Sequence, residues 1–278
     1  MKQTSIALLS IPELLDRSRQ EIQNRFGPLF LLTLFVPIIT WIIPTVLLGF
    51  SVQQQTETAY AHPFLALMSI ILNATAVLWL TGALILYVCK RVQKISEALV
   101  LGGKKLPRLL VGMLLYVIPL LLLVTTAILC NLGIETYLPE GEALYWLANV
   151  LVMLLFLSVL IVLSVYCILL PYVLVLMEMP IKDCVVAAFQ LVHQYFWRTL
   201  WLVILLVIIS TIIGGLGAFV ITFVGSILQF FIPASRYLFL FLGFIPAALS
   251  LLIFHIPLIA WYINLTLQLW SPEEQVAD

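Results

Sequence analysis

The chain has 278 residues, 64% of them hydrophobic and 9% charged, with a formal net charge of zero and a mean hydropathy of +1.19. A water-soluble domain carries ~25% charged residues, so this chain cannot cover a solvent-facing surface and must fold in hydrocarbon. Its long apolar runs lack two-residue alternation, which excludes a β-barrel, and its four cysteines show no CxxC or paired spacing, so they offer neither a disulfide framework nor a metal knot.

In chain order, residues 1–10 contain too short an apolar piece for a signal-peptide core, and no small-residue cleavage site follows. Ile11, Leu14, Leu15, Ser18, Ile22 and Phe26 then fall on one stripe of an α-helix. Ser10 and Glu13 have capping-box spacing, with Pro12 in the first turn where it costs no hydrogen bond. This pattern predicts an amphipathic elbow helix that ends at Gly27-Pro28, followed by an uncharged span from Leu29 to about Phe50. A polar loop, SVQQQTETAY, reverses the chain into a second span, about Pro63 to Val88, carrying Asn73, Thr75 and Thr81.

The stripe returns 84 residues on, as Ile95, Ala98, Leu99, Gly102, Leu106 and Leu110. Pro107 is expected to close this second elbow and open a third span, Leu109 to about Leu129. A loop with Glu135, Glu140 and Glu142 leads to span four, Tyr145 to about Leu176. That stretch is longer than the ~20 residues a bilayer needs, and Pro171 is its natural kink.

A further 86 residues on, the stripe recurs as Ile181, Cys184, Val185, Ala188, Val192 and Phe196. It delivers span five, Trp197 to about Phe223, where Ser210, Gly214 and Ala218 form a small-residue face suited to close helix contact. Residues 225–237 read as a turn, with room for a short interfacial piece around Ile227 to Phe231, and span six runs from Leu238 to about Trp270 with Pro246 and Pro257. Each copy has an acid in its first turn (Glu13, Glu97, Asp183), where a carboxylate meets unpaired N–H groups and the positive end of the helix dipole. Each also has a small residue mid-helix (Ser18, Gly102, Ala188).

The expected fold is thus an all-α integral membrane protein. It has six transmembrane helices and three cytoplasmic amphipathic elbow helices, arranged as three tandem elbow–span–span repeats (about 11–90, 95–177 and 181–270) within a single polytopic domain. Six spans place both termini and all elbows on one side. Of the thirteen Lys and Arg residues, all but Arg236 fall on that side, a bias that orients it to the cytoplasm.

The chain has no glycine-rich phosphate loop, HExxH, nucleophile elbow or paired intramembrane carboxylates. It points to no catalytic residue, no cofactor, no metal site and no nucleic-acid partner, and enzyme is the least supported class. His255 is the one strongly ionisable residue well inside a span, which makes it a candidate site by default. The competing reading is a neutral imidazole bonded to a carbonyl freed by Pro257. Asn264, nine residues on, does not share its face, and the lack of a polar stripe favours packing. Asn73 is a second candidate intramembrane polar residue, also better read as a helix-packing bond. Lys104, Lys105 and Arg108 are candidate anionic-lipid contacts, since such lipid attracts juxtamembrane cations by ~1 kcal/mol each; the same charges also enforce orientation.

The segments TGALILYV (81–88), ISEALVLGGKKLPRLLVGMLL (95–115) and LLPYVLVLMEMPIKDCVVAAFQLVHQYFWRTL (169–200) together resemble the YciC-type bacterial inner-membrane proteins. Those proteins are similar in turn to the membrane domain of some glycerophosphodiester phosphodiesterases. The chain departs from that pattern in lacking a Pro-Gly start to span four. The resemblance implies a six-helix inner-membrane protein with no enzymatic residues to carry over. The expected function is non-enzymatic, in envelope or membrane maintenance through contacts with lipid or other membrane proteins. The alternative is a small secondary transporter or permease with a midplane site near His255.

Overall fold

A computed structural model of the chain describes residues 9–49, 52–137, 143–231, 238–239 and 242–269. Among the described residues there is no strand, and six helices are long and apolar enough to cross a membrane.

Helix α1 (Ile11–Asn24) starts where its cap dictates. The Glu13 carboxylate accepts the Ser10 N–H at 2.7 Å, and the Ser10 hydroxyl accepts the Glu13 N–H. The backbone bond, then the hydroxyl bond, hold the Glu13 carboxyl below its ordinary value. The ionised carboxylate is the better acceptor, so its half of the cap is at full strength above the usual carboxylate range and weakens as acid protonates Glu13, while the Ser10 hydroxyl still accepts the Glu13 N–H.

Helix α1 ends at Arg25 (φ −134°, ψ 27°), and α2 (Phe26–Leu48) starts at the next residue. The same plan occurs 170 residues later, where α8 (Ile181–Gln194) ends at Tyr195 (φ −124°, ψ 28°) before α9 (Phe196–Phe231). At each bend the N–H turns back to a carbonyl three residues earlier, Ile22 or Val192. The bend's own carbonyl accepts an N–H from four residues ahead, Leu29 or Thr199. Gly27 and Pro28 therefore do not end the first short helix. They sit in the first turn of α2, where the missing proline N–H has no intrahelical partner to lose.

Three other expectations change. The polar segment after α2 is a helix, α3 (Val52–Ala61), because it has no Gly or Pro and its Gln, Glu and Ala residues favour helix. Pro107 does not close the second elbow: α5 (Ile95–Tyr137) starts at the expected residue but continues unbroken for 43 residues. Pro107 removes one donor and crowds the Gly103 carbonyl one turn earlier, yet the helix continues through it. At ~1.5 Å per residue, α5 is about 64 Å long, roughly twice a ~30 Å hydrocarbon core. Residues 225–231, read as turn, belong to α9; residues 232–237 lie outside the described set. The span-four kink falls as expected, with α6 (Ala143–Cys167) ending just before α7 (Leu170–Leu176), which has Pro171 in its first turn. The remaining spans are α4 (Pro63–Val88) and α10 (Phe244–Leu269).

The chain groups into two compact units, Met1–Pro107 with Trp201–Asp278, and Arg108–Leu200. In the first, α2 packs along α4 and α10, and α1 lies on α10. Residues 82–88 of α4 are buried on every side, as are Ile256, Leu258, Ile259, Trp261 and Tyr262 of α10, so these helix ends form the core. Helix α4 closes with Arg91 N–H on the Leu86 carbonyl and Lys90 in the left-handed region (φ 56°), a place usually given to glycine. The start of α5 docks on α4. The Trp79 indole donates to the Leu99 carbonyl at 2.7 Å, and a Cβ on Gly102 would come within 2.9 Å of the Ala83 nitrogen. Helices α9 and α10 meet through reciprocal bonds, each hydroxyl of Ser210 and Ser250 donating to the other residue's carbonyl at 3.2 and 2.9 Å. Gly217 opposes Pro246 there, 2.7 Å from a would-be Cβ.

In the second unit α8 packs on α6 and α7, burying Cys184, Ala188, Leu191 and Val192, and 170–175 of α7 are buried throughout. Elsewhere this unit presents bare hydrocarbon, including Leu114, Ile118 and Leu122 on α5, and Leu151 and Leu155 on α6.

Candidate functional site

His255 is half-buried in α10, edge-on to Phe254 at 5.6 Å between centroids. It lines a cavity of about 30 Å³ together with Thr33 of α2, Thr81 of α4 and six apolar side chains. Such a volume holds about one water molecule. The Thr33 hydroxyl is turned away into its own helix, donating to the Leu29 and Phe30 carbonyls.

Asn73 does not line this cavity. Pro44, inside α2, has no N–H, which leaves the Thr40 carbonyl one turn earlier without its helical donor. The Asn73 amide supplies one across the helix pair at 3.3 Å. The residue is thus a packing bond between α2 and α4, its position set by a proline on the neighbouring helix. Asn73→Leu is expected to cost about 1 kcal/mol, the usual worth of an interhelical side-chain bond in a membrane, read as a lower unfolding midpoint in mixed micelles with transport and lipid content unaffected. Asn264 is also buried, and its amide nitrogen has no partner among the described residues.

The basic residues of α5 have different surroundings. Lys104 is exposed and Lys105 half-buried. Arg108 is engaged by protein: its Nη2 donates to the Met179 carbonyl and to Cys184 Sγ at 2.9 Å, joining α5 to the start of α8. Its Nε is buried without a partner among the described residues.

One further crevice is not apparent from the sequence. Where α8 bends into α9, residues 193–198 and Tyr166 of α6 enclose about 390 Å³. The Tyr166 hydroxyl lies 3.0 Å from His193 Nδ1, and its ring stacks on Phe189 at 5.2 Å. The available signal is the aromatic-basic run HQYFWR at the elbow exit, which stands out only as an exit motif because Tyr166 comes from a distant span.

No family model matches the chain, and no curated protein or solved structure matches it.

Proposed function

We propose that this polytopic membrane protein is a non-enzymatic component of the bacterial inner membrane, with both termini cytoplasmic and kinship to the YciC-type proteins. It works in envelope or membrane maintenance through contacts with lipid and with other membrane proteins. The observation that carries this over the transporter reading is the His255 cavity, too small for anything beyond water and walled mainly by aliphatic side chains. A midplane transport site needs converging polar groups and space for a solute.

The repeat reading supports the same view. Helices start at Ile11, Ile95 and Ile181, the register found in the stripe; the first and third are short, and the second runs on as the 43-residue α5. Their small residues lie at tight contacts: Ser18 and Ala188 are buried, and Gly102 abuts Ala83. Each short segment packs on the end of an even-numbered span, α1 on α10, the start of α5 on α4, and α8 on α6. Elbows laid against span ends give each unit a stable cytoplasmic surface. Lys104 and Lys105 contact anionic lipid there, with Arg108 contributing the donors its protein bonds leave over.

The experiment is solute and proton flux into proteoliposomes, comparing the native protein with His255→Ala. We expect no His255-dependent flux. A flux abolished by the substitution in a stably folded protein would install the transporter reading instead.

A further inference from the structure

The crevice at the α8–α9 bend has unbalanced charge. Its lining is Tyr166, His193, Gln194, Tyr195, Phe196, Trp197 and Arg198, with no carboxylate. Arg198 is exposed and makes no ion pair or hydrogen bond among the described residues. The bend 170 residues earlier differs: there Arg25 is matched by Glu21 at 3.4 Å. The positions corresponding to Glu21 and Arg25 are Leu191 and Tyr195, so that ion pair is absent from the second bend, and the residue four before Arg198 is the uncharged Gln194.

Four further features suit the space to a phosphoryl group on an amphipathic carrier. His193 uses Nδ1 on Tyr166, which leaves its other ring nitrogen for a ligand. Trp197 is 70% exposed, as suits an indole at headgroup depth. The volume of about 390 Å³ lies in the range of small-molecule sites, unlike the water-sized cavity at His255. Phe196, Trp197 and Arg198 also form the first turn of α9, so their N–H groups add to the donor set.

We infer that the Tyr166–His193–Trp197–Arg198 crevice binds an anionic phosphoryl group, as the headgroup of a phospholipid or as the free ion. Arg198 supplies the paired donors, His193 and Trp197 supply single ones, and the rings of Tyr166, Phe196 and Trp197 give the crevice an apolar wall. This site is separate from Lys104, Lys105 and Arg108 and does not depend on their lipid contacts.

The test uses the full chain purified in a neutral detergent and two probes, dioctanoyl phosphatidylglycerol and inorganic phosphate, with binding followed by native mass spectrometry and melting temperature. At least one probe is expected to bind, with affinity about tenfold weaker in Arg198→Gln, the size of one charge-assisted bond, and partly recovered in Arg198→Lys, which keeps the charge but not the paired donors. Lipid binding alone identifies a headgroup site. Equal Arg198 dependence with phosphate identifies a free-anion site. The Lys104→Gln, Lys105→Gln double variant should retain this binding. Arg198 has no partner among the described residues, so its replacement should leave the fold intact; His193→Gln, with an expected loss of about threefold, is the second variant should it not. Binding that is unchanged in both variants, or no binding of either probe, overturns the assignment.

Discussion

Gly102→Leu is expected to destabilise the first unit by about 2–3 kcal/mol, the scale of forced overpacking in a tight contact, read as a lower unfolding midpoint in a denaturing-detergent titration. Leucine favours helix over glycine by somewhat under 1 kcal/mol, so propensity alone would make this substitution stabilising. Sterics decide the sign. A Cβ at 102 would meet the Ala83 backbone nitrogen at 2.9 Å and its Cα at 3.1 Å. Backbone atoms of a buried helix end cannot rotate aside as the end of a flexible side chain can. Gly27 and Gly215 are the controls: nothing lies within 4 Å of a Cβ at either, so Ala there should be neutral or stabilising. A neutral Gly102→Leu would show that α5 does not dock on α4 through this contact.

The second large effect is expected at Arg108. Arg108→Gln should cost about 1.5–3 kcal/mol, the range for a hydrogen bond to a charged group, because the guanidinium joins Met179 and Cys184 through one nitrogen. Lysine should restore part of it, since both bonds come from one nitrogen and an ammonium keeps the charge and three donors. Lys104→Gln should instead leave stability nearly unchanged and reduce co-purified anionic lipid. If Arg108→Gln changed lipid content and left the unfolding midpoint alone, its role would lie with the bilayer and not with α8.

Much of the frame was legible from residue pattern. The three starts at Ile11, Ile95 and Ile181 coincide with the first stripe residues, because an N-terminal acid and a preceding break mark a helix start by local chemistry. The kink before Pro171 was legible for the same reason. Helix ends were harder. Gly27, Pro28 and Pro107 all read as stops, yet the chain stays helical through each of them. In a membrane, solvation of the backbone outweighs local propensity, so punctuation learned from soluble chains is unreliable. The candidate site was the least legible part. Asn73 stood out as polar, but its partner depends on Pro44, on another helix. The Arg198 crevice needs Tyr166, from a span that the local run does not reveal.

The Thr40–Asn73 bond bears on how the first two spans find each other. An acceptor stripped of its donor is a heavy liability in oil, and it sits at one height on α2. The Asn73 amide relieves it at one depth, so sliding α4 by a turn in either direction would forfeit that bond. The proline thus works as an alignment mark: a local defect in one rod sets the axial position of the next, where uniformly greasy surfaces could not tell one depth from another.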